Sequence, residues 1–280
     1  MNKLKYALIG YPLGHSVSPF IHNKLFSLNK TDAEYTNIEI SPSELNIPEF
    51  AKDFDGFNVT IPYKTEVIPF LYELCGKAQY LKTVNTVKND GGRLYGYNTD
   101  ADGMLKSLEI SGISLSGNVL ICGAGGTARM LCCVAVKHGC KVTLCARNPQ
   151  SEKVLRLKAD MKRDFDADID IIGGDETSGS YDLLLNATPA GMYPKFIGQT
   201  PASKTLIAKI PAVFDAVYNP RETELIKTAK QNGAKTAYGL PMLVYQAAAA
   251  QTIWYGAQFD DGDLMAVINE TEQYITKRFS

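Results

Sequence analysis

The sequence lacks a surplus of either charge. Its 280 residues carry 29 lysines and arginines against 30 aspartates and glutamates, which leaves a formal net charge of −1 at pH 7. Proteins that bind nucleic acid or anionic membranes need a basic surplus, because they must neutralise phosphates and release counterions. The balance therefore predicts that the partner is neither a nucleic acid nor a membrane.

Long apolar runs are also missing. The first run, Tyr6–Ile9, stops at Gly10 and is too short for the core of a signal peptide. No stretch approaches the roughly 18 consecutive apolar residues of a membrane span. Hydrophobic residues nevertheless make up 45% of the chain, which is enough for a core. We therefore expect a soluble, cytoplasmic protein, and its length favours two domains.

The six cysteines include no C-x-x-C pair, and the three histidines do not lie at metal-ligand spacing from them. Five of the cysteines fall within the short apolar region 122–145. This distribution favours small buried side chains in a reducing compartment over zinc ligands or disulfides. The sequence thus predicts that the protein has no metal site.

Strand-type runs alternate with helical segments in the first hundred residues. The turn Asn89–Gly92 is typical of a hairpin, and Ser18–Leu28 is expected to be a helix with Ser18 as N-cap and Pro19 at its first position. Strands are expected at 6–9, 34–40, 57–60, 84–87 and 94–97. This region is therefore expected to be a mixed α/β unit.

The alternation continues after residue 100 and predicts a parallel sheet. Two helices, 241–255 and 263–279, are expected to follow this sheet. Strands are expected at 119–122, 142–145, 168–172, 182–185 and 213–217.

A glycine-rich motif follows the expected strand 119–122 and precedes the helical run 129–137. Glycines in this position allow a tight turn, so that the helix N-terminus can bind a pyrophosphate through its free N–H groups. The motif therefore predicts a dinucleotide-binding loop, with a structural turn as the alternative. It fits the pattern G-x-G-x-x-G/A and consists of Gly123, Ala124, Gly125, Gly126, Thr127 and Ala128.

The end of the next strand indicates which dinucleotide is bound. An acidic residue there would accept a hydrogen bond from the ribose 2′-hydroxyl, but this strand ends in Cys145-Ala146-Arg147-Asn148. An arginine can instead bind a 2′-phosphate through charge-assisted hydrogen bonds. We therefore predict NADP as the cofactor, with an exposed structural arginine as the alternative.

Eight motifs, in matching order and spacing across nearly the whole chain, resemble those of the shikimate dehydrogenase family. They are Gly10–Asn23, Gly56–Lys64, Val84–Thr86, Gly96–Asp100, Gly123–Arg129, Asn186–Met192, Asp215–Pro220 and Met242–Ala247. The resemblance implies NADP-dependent interconversion of 3-dehydroshikimate and shikimate, in chorismate and aromatic amino-acid biosynthesis. It also implies an α/β fold with an N-terminal mixed α/β substrate domain, a Rossmann-type NADP-binding domain and a cleft between them.

The order of the motifs sets the expected domain boundaries. Residues 1–100, completed by the C-terminal helices 238–280, are expected to form the substrate-binding catalytic domain, because the late motif must meet the N-terminal ones. Residues 101–237 are expected to form the NADP-binding domain. The protein is expected to be a monomer or a homodimer.

The resemblance also implies roles for individual side chains. Lys64 and Asp100 are the expected catalytic pair. Expected substrate contacts are Ser16, Ser18, Asn58, Thr60, Asn85, Tyr218 and Gln246, with the two serines binding the carboxylate. Expected cofactor contacts are Gly123, Ala124, Gly125, Gly126, Thr127, Ala128, Arg147, Asn186, Thr188, Met192 and Gly239.

Several of these side chains have a structural alternative. Ser18 and Asp100 could cap helices, and the amides of Asn58 and Asn85 could hold turns together. Structural roles are expected for the remaining conspicuous side chains, His15, His22, Tyr245 and Trp254.

Two other functions fit the same motifs. One is a quinate/shikimate or aminoshikimate dehydrogenase of the same fold, and the other is a non-catalytic NADP-binding regulatory module. The presence of both Lys64 and Asp100 favours an enzyme, because a sensor has no need of a paired proton donor.

Overall fold

The chain divides into two compact units in the computed structural model, which describes residues 3–14 and 16–279. One unit takes the chain up to Gly103 and again from Leu243 onward, and the other unit is Met104–Met242. His15, for which a structural role is expected, lies outside the described residues. None of the helices found in the described ranges is both long enough and apolar enough to cross a membrane.

Twelve strands and ten α-helices alternate along the described residues. The strands are β1 Leu4–Gly10, β2 Ala33–Glu39, β3 Gly56–Val59, β4 Glu73–Leu74, β5 Thr86–Asp90, β6 Arg93–Tyr97, β7 Asn118–Cys122, β8 Lys141–Ala146, β9 Asp170–Gly173, β10 Leu183–Asn186, β11 Ala212–Asp215 and β12 Lys235–Tyr238. The helices are α1 Ser18–Leu28, α2 Ile47–Phe50, α3 Ala78–Leu81, α4 Asp100–Ile110, α5 Gly126–Lys137, α6 Glu152–Phe165, α7 Lys204–Ile207, α8 Glu224–Gln231, α9 Gly239–Tyr255 and α10 Asp261–Phe279.

The sheet of the first unit is mixed, as the sequence predicts, and has the order β2-β1-β3-β5-β6-β4. Strand β1 is parallel to β2 and β3, whereas β5 is antiparallel to both β3 and β6. Because of these directions, the ends of β1, β3 and β6 lie at the same edge of the sheet as the start of β5. The loops that carry the N-terminal motifs therefore leave the sheet at one edge.

The predicted hairpin is confirmed by the antiparallel pairing of β5 and β6. Its turn contains Gly91 at φ +58° and Gly92 at φ +90°. Both angles lie in the left-handed region, which glycine enters without the steric cost of a Cβ atom. The chain can therefore reverse between these two strands.

The sheet of the second unit is parallel throughout, which confirms the prediction from the alternating strands and helices. Its order is β12-β11-β10-β7-β8-β9, so the chain reverses its direction of winding between β7 and β10. This is the order of a Rossmann-type fold, in which ligands bind at the carboxyl ends of the strands near such a reversal. Cys122, Asn186 and Asp215 end the three central strands and are paired in register.

The core of the first unit contains the expected aromatic side chains. Trp254 stacks on Tyr6 with ring centroids 4.3 Å apart, and its indole N–H donates to the backbone oxygen of Val87 at 2.9 Å. A Cβ atom on Gly56 would lie 2.6 Å from the same indole nitrogen. Tyr245 is also buried. Structural roles for Tyr245 and Trp254 are therefore confirmed.

The start of α1 corrects one prediction. The helix begins at Ser18, but the N-cap position is occupied by Val17, and Ser18 is the first helical residue. The hydroxyl of Ser16 accepts a hydrogen bond from the Ser18 N–H at 3.2 Å. An upstream serine therefore satisfies a free N–H of the first turn, and the hydroxyl of Ser18 does not act as the N-cap.

Candidate active site

Lys64 and Asp100 form an ion pair in the first unit. The Lys64 Nζ atom lies 2.6 Å from Asp100 Oδ2, although the two residues are 36 positions apart. Lys64 follows β3 by five residues, and Asp100 is the first residue of α4. Their side chains are 24% and 18% exposed, so the pair is formed within the protein but remains accessible to a small molecule.

The Asn85 side chain holds the second oxygen of Asp100. Its Nδ2 donates to Asp100 Oδ1 at 2.9 Å, and its Oδ1 accepts from the Thr99 N–H at 2.7 Å. The Ala101 N–H is satisfied by Asn98 Oδ1 instead of the Asp100 carboxylate. Asp100 therefore directs its two oxygens to a lysine and an amide, and it does not cap α4.

Gln246 on α9 reaches the same cluster from the other end of the first unit's sequence. Its Oε1 lies 3.4 Å from Asn85 Nδ2, and its own Nε2 donates to the backbone oxygen of Leu243. The structure therefore brings together four of the predicted site residues, Lys64, Asn85, Asp100 and Gln246.

Asn58 lies beside this cluster but its polar atoms are already engaged. The side chain is 4% exposed, and its Nδ2 donates to the Asn85 backbone oxygen and to Thr86 Oγ1, both at 3.0 Å. Its Oδ1 accepts from the Tyr35 hydroxyl at 2.7 Å. Both amide hydrogens of Asn58 are therefore used inside the protein, as the structural alternative expects.

His22 packs behind the cluster as a core side chain. Its ring stacks on Tyr35 at a centroid distance of 3.9 Å, and Gln251 Nε2 lies 3.1 Å from its Nδ1. Complete burial lowers the pKa of His22 to about 3, because the charged imidazolium loses its hydration. His22 is therefore neutral near pH 7 and is a structural residue, as predicted.

The loop from β1 to α1 carries the two predicted carboxylate ligands. Ser16 Oγ and Ser18 Oγ lie 3.1 Å apart at the N-terminus of α1, and both residues are partly buried. Hydroxyls at a helix N-terminus suit an anion, because the helix dipole and the free N–H groups favour negative charge. The chemistry of this loop therefore fits a carboxylate.

Thr60 is placed by a close approach of two loops. A Cβ atom on Gly10 would lie 2.5 Å from Thr60 Cγ2 and 3.0 Å from the backbone oxygen of Ile61. The Thr60 N–H donates to the backbone oxygen of Ile9 at 2.9 Å. Glycine at the end of β1 therefore lets the segment after β3 pass close to it and presents Thr60 at the same sheet edge.

The second unit has a cradle that fits a pyrophosphate. Helix α5 begins at Gly126, three residues before the predicted start, so Gly126, Thr127 and Ala128 form its first turn. A Cβ atom on Gly125 or Gly126 would meet no other atom within 4 Å, so the space in front of the helix is open. The unpaired N–H groups of the first turn therefore face a space that phosphate groups can enter.

Two arginines near this cradle differ in their surroundings. Arg129 on α5 bonds Asp160 at 2.7 Å and Asp164 at 3.1 Å, which fixes α5 to α6. Arg147, one residue after β8, is exposed. Arg129 is therefore a structural residue, and Arg147 is accessible to a ligand.

The predicted cofactor residues after β10 form a short hydrogen-bonded loop. Asn186 ends β10 and is buried, and its Oδ1 accepts from the Thr188 N–H at 2.9 Å and from Thr188 Oγ1 at 2.7 Å. Met192 lies farther along this loop and is exposed. The structure thus places Asn186 and Thr188 together at the carboxyl edge of the sheet.

Tyr218 follows the end of β11 by three residues, and Gly239 comes directly after β12. A Cβ atom on Gly239 would lie 2.2 Å from the backbone oxygen of Ala216, so only glycine fits at this start of α9. Burial raises the pKa of the Tyr218 phenol. Both residues therefore belong to the carboxyl edge of the parallel sheet.

The cysteines and acidic residues do not form a metal centre among the residues described. The six cysteines are free thiols, and all but Cys75 are buried. No group of three or more histidine, cysteine, aspartate or glutamate side chains within residues 3–14 and 16–279 is arranged to hold a metal ion.

Comparison with known proteins agrees with this geometry. Residues 8–87 match the model of the shikimate dehydrogenase substrate binding domain. This range runs from β1 to the start of β5 and includes Ser16, Thr60, Lys64 and Asn85. The family match therefore covers most of the predicted substrate residues of the first unit.

Full-length relatives extend the match to both units. A shikimate dehydrogenase (NADP(+)) of Caldicellulosiruptor bescii is 36% identical over 278 residues, which cover 96% of each chain. A chorismate mutase/shikimate 5-dehydrogenase fusion protein from Clostridium acetobutylicum has a TM-score of 0.88 at 33% identity and covers 99% of this chain and 100% of that chain. A shikimate 5-dehydrogenase from Thermus thermophilus, solved in complex with NADP(H) and shikimate, has a TM-score of 0.80 at 30% identity over 95% of this chain and 99% of that chain. Sequence and fold thus agree over nearly the whole length, and the chain belongs to the shikimate dehydrogenase family.

Proposed function

We propose that the protein is an NADP-dependent shikimate dehydrogenase, which reduces 3-dehydroshikimate to shikimate and catalyses the reverse oxidation. The observation that carries this proposal is the Lys64–Asp100 ion pair, held by Asn85, in a chain of this family. Reduction of a ketone to an alcohol adds a hydride to carbon and a proton to oxygen. Bound NADPH supplies the hydride, so the protein must supply the proton.

Lys64 is the proposed proton donor. Its ammonium has three N–H groups, and one of them is directed to Asp100. A second can donate to the ketone oxygen as negative charge develops there, and transfer of this proton leaves a neutral amine that water reprotonates. In the reverse direction the neutral amine accepts the hydroxyl proton. Asp100 orients the lysine and accepts a hydrogen bond from the same hydroxyl.

The remaining polar residues of the first unit are proposed to bind the substrate. Ser16 and Ser18 bind its carboxylate, and Thr60, Asn85 and Gln246 bind ring hydroxyls. Asn58 is also proposed to contact the substrate. Its amide hydrogens are donated to the Asn85 backbone oxygen and to Thr86, so its Oδ1 is the atom that would accept a hydrogen bond from the substrate. Tyr218 of the second unit is proposed as a further substrate contact.

The second unit is proposed to bind NADP. Its pyrophosphate would lie at the first turn of α5, where Gly125 and Gly126 leave open space. The guanidinium of the exposed Arg147 would bind the 2′-phosphate. The other proposed cofactor contacts are Gly123, Ala124, Thr127, Ala128, Asn186, Thr188, Met192 and Gly239.

The division of the chain supports corresponding domain roles. The unit that contains Lys64 would be the substrate-binding catalytic domain, and Met104–Met242 would be the NADP-binding domain. Six free cysteines fit a reducing compartment, so we also propose a cytoplasmic enzyme of chorismate biosynthesis.

Reduction of NADP⁺ to NADPH, or of NAD⁺ to NADH, by the purified protein tests the proposed function. Shikimate, quinate and an aminoshikimate are each supplied with NADP⁺, and shikimate is supplied with NAD⁺. We expect turnover that is fastest with shikimate and NADP⁺. Faster turnover of quinate or the aminoshikimate would assign the alternative dehydrogenase, and NADP binding without turnover of any substrate would assign the regulatory module.

A further inference from the structure

Asp215 is a fully buried carboxylate to which the reaction assigns no role. It ends β11, and its register partner on β10 is Asn186. Asn186 is in turn paired with Cys122, the last residue of β7, and the glycine-rich loop begins one residue later. Asp215 therefore lies two strands from the start of the proposed phosphate cradle.

Three neutral groups donate hydrogen bonds to this carboxylate. Oδ1 accepts from Asn186 Nδ2 at 2.9 Å and from the Val217 N–H at 3.1 Å, while Oδ2 accepts from Thr223 Oγ1 at 2.6 Å. Burying an acid among neutral donors is costly, because ionisation requires removal of the charge from water. Stability alone is therefore a poor reason for an aspartate at this position.

The carboxylate determines which way the Asn186 amide faces. An ionised carboxylate can only accept hydrogen bonds, so it selects the NH₂ end of the amide. The amide oxygen of Asn186 is then directed to Thr188, whose N–H and hydroxyl both donate to it. With its proton used in this way, the Thr188 hydroxyl accepts from the Ala190 N–H at 3.2 Å.

The ordered loop lies against the start of the glycine-rich loop. The Thr188 methyl group lies 3.1 Å from the position that a Cβ atom would take on Gly123, and Gly123 has a φ of +111°. The Ala187 N–H also donates to the Cys122 backbone oxygen at 2.9 Å. A flipped Asn186 amide would place its NH₂ group opposite the Thr188 N–H and hydroxyl, which are themselves donors. These two hydrogen bonds would be lost, and Thr188 would no longer be held beside Gly123.

We propose that Asp215 is a positioning residue for NADP binding, which acts by fixing the Asn186 amide and through it the 186–190 loop beside Gly123. This inference rests on the proposed function, because it assumes that NADP binds at this edge of the sheet. It adds a residue that touches neither cofactor nor substrate. The same carboxylate also holds the Val217 N–H, at the start of the segment that leads to Tyr218.

Three variants of the full-length protein separate positioning from general stability. Asp215→Leu leaves the Asn186 amide without its acceptor, whereas Asp215→Asn can keep both Oδ1 contacts and donate to Thr223 in place of Oδ2. Thr223→Val is the matched control, because it removes the third hydrogen bond to Asp215 and a cap of α8 but leaves the Asn186 contact intact.

Calorimetric titration with NADP⁺, together with the melting temperature of each variant, provides the test. We expect Asp215→Leu to weaken NADP binding by roughly tenfold or more, and Asp215→Asn and Thr223→Val to stay within about threefold of wild type. The KM for NADP should follow the same order, with a smaller change in kcat. If Asp215→Leu does not fold, Asp215→Ser replaces it, because the short hydroxyl does not reach the amide.

Three outcomes would overturn the inference. They are wild-type NADP affinity in folded Asp215→Leu or Asp215→Ser, equal losses in the leucine and asparagine variants, and equal losses in the leucine and Thr223→Val variants. A wild-type chain that does not bind NADP overturns the proposed function and this inference together. A wild-type chain that oxidises shikimate while Asp215→Leu binds NADP normally overturns the inference alone.

Discussion

Each unit contains an aspartate that accepts a hydrogen bond from an asparagine amide, and the two clusters around these aspartates differ in burial and charge. In the first unit, Asp100 pairs with the Lys64 ammonium and the Asn85 amide, and both members of the ion pair are partly exposed. In the second unit, Asp215 bonds the Asn186 amide and is completely buried among neutral donors. An aspartate with an asparagine amide therefore occurs once beside a cation and once without one.

The difference shows how the neighbours and the burial of a carboxylate determine its role. Asp100 has the Lys64 ammonium as its partner at a partly exposed site, where a substrate could reach the lysine N–H groups. Burial raises the pKa of Asp215 to about 6, and its surroundings offer fixed donors and no exchange partner. We infer that the first cluster carries the chemistry and the second holds a loop in place. Substitutions of Lys64 and Asp215 test this division, and substitutions of Arg147 and Ser16 test a binding contact in each unit.

Lys64→Ala should have the largest effect. Loss of a positioned acid–base group is expected to lower kcat by roughly 10²–10⁴ while NADP affinity stays near that of the wild type. Lys77→Ala is the control, because Lys77 also pairs with an aspartate of α4, Asp102, and it should keep near-normal kcat. Steady-state kinetics and NADP titration of both variants measure these effects. Equal losses of kcat in Lys64→Ala and Lys77→Ala would contradict a specific role of Lys64 in proton transfer.

Asp215→Asn should change stability in a pH-dependent way. The raised pKa means that the protonated carboxyl favours the folded state, and this contribution is complete below about pH 4 and is lost as the pH rises through about 6. The amide does not ionise. The unfolding free energy of Asp215→Asn relative to wild type should therefore increase by roughly 3 kcal/mol between pH 4 and pH 8.

Denaturant unfolding at a series of pH values measures this difference. Thr223→Val serves as the control, because it keeps the carboxyl group of Asp215. A free-energy difference between Asp215→Asn and wild type that does not vary with pH would contradict a raised pKa of Asp215 in the folded protein.

Arg147→Ala should weaken the binding of NADP without altering the chemical step. We expect the KM for NADP to rise by roughly 10- to 100-fold and the KM for NAD to change little, because the lost charge-assisted bonds are made to the 2′-phosphate alone. Arg156→Ala removes another exposed arginine from the second unit as the control. Equal changes for both cofactors would assign Arg147 a structural role.

Ser16→Ala should have the smallest effect. Its hydroxyl is expected to bind the substrate carboxylate equally in the ground and transition states, so KM for shikimate should rise by roughly fivefold with little change in kcat. Ser27→Ala, on the helix α1 that follows Ser16, removes a hydroxyl that donates to the Asn23 backbone oxygen and should be neutral. A loss confined to kcat would contradict the anchoring role.

Local pattern predicted the sheets well. Buried parallel strands are nearly continuous apolar runs, which is why β7, β8 and β10 could be located from sequence. Strand β4 has two residues, and β12 has four residues in the order Lys-Thr-Ala-Tyr, without polar–apolar alternation, so neither gives a signal of its own. The sequence predicts the wrong N-cap for α1, because a serine before a proline fits a cap. In the structure, the Ser16 hydroxyl accepts the hydrogen bond from the Ser18 N–H.

The candidate sites needed information that no local pattern contains. Lys64 and Asp100 lie 36 residues apart, so the family resemblance, and no local pattern, predicts their pairing. The sequence does not indicate a role for Asp215, because this role depends on the register of β10 and β11, which pairs Asp215 with Asn186. The internal hydrogen-bond partners of Asn58, Tyr35 and Thr86, are likewise distant in sequence, so no local pattern predicts these bonds.

Chemical rescue of Lys64→Ala shows whether Lys64 transfers the proton. Small primary amines added to this variant can enter the space left by the side chain and transfer the proton in its place. If Lys64 transfers the proton, kcat for shikimate oxidation by Lys64→Ala increases with amine concentration, while wild type and Lys77→Ala do not respond. A rate that does not depend on the amine, in a folded variant that binds NADP normally, would contradict the assignment of proton transfer to Lys64.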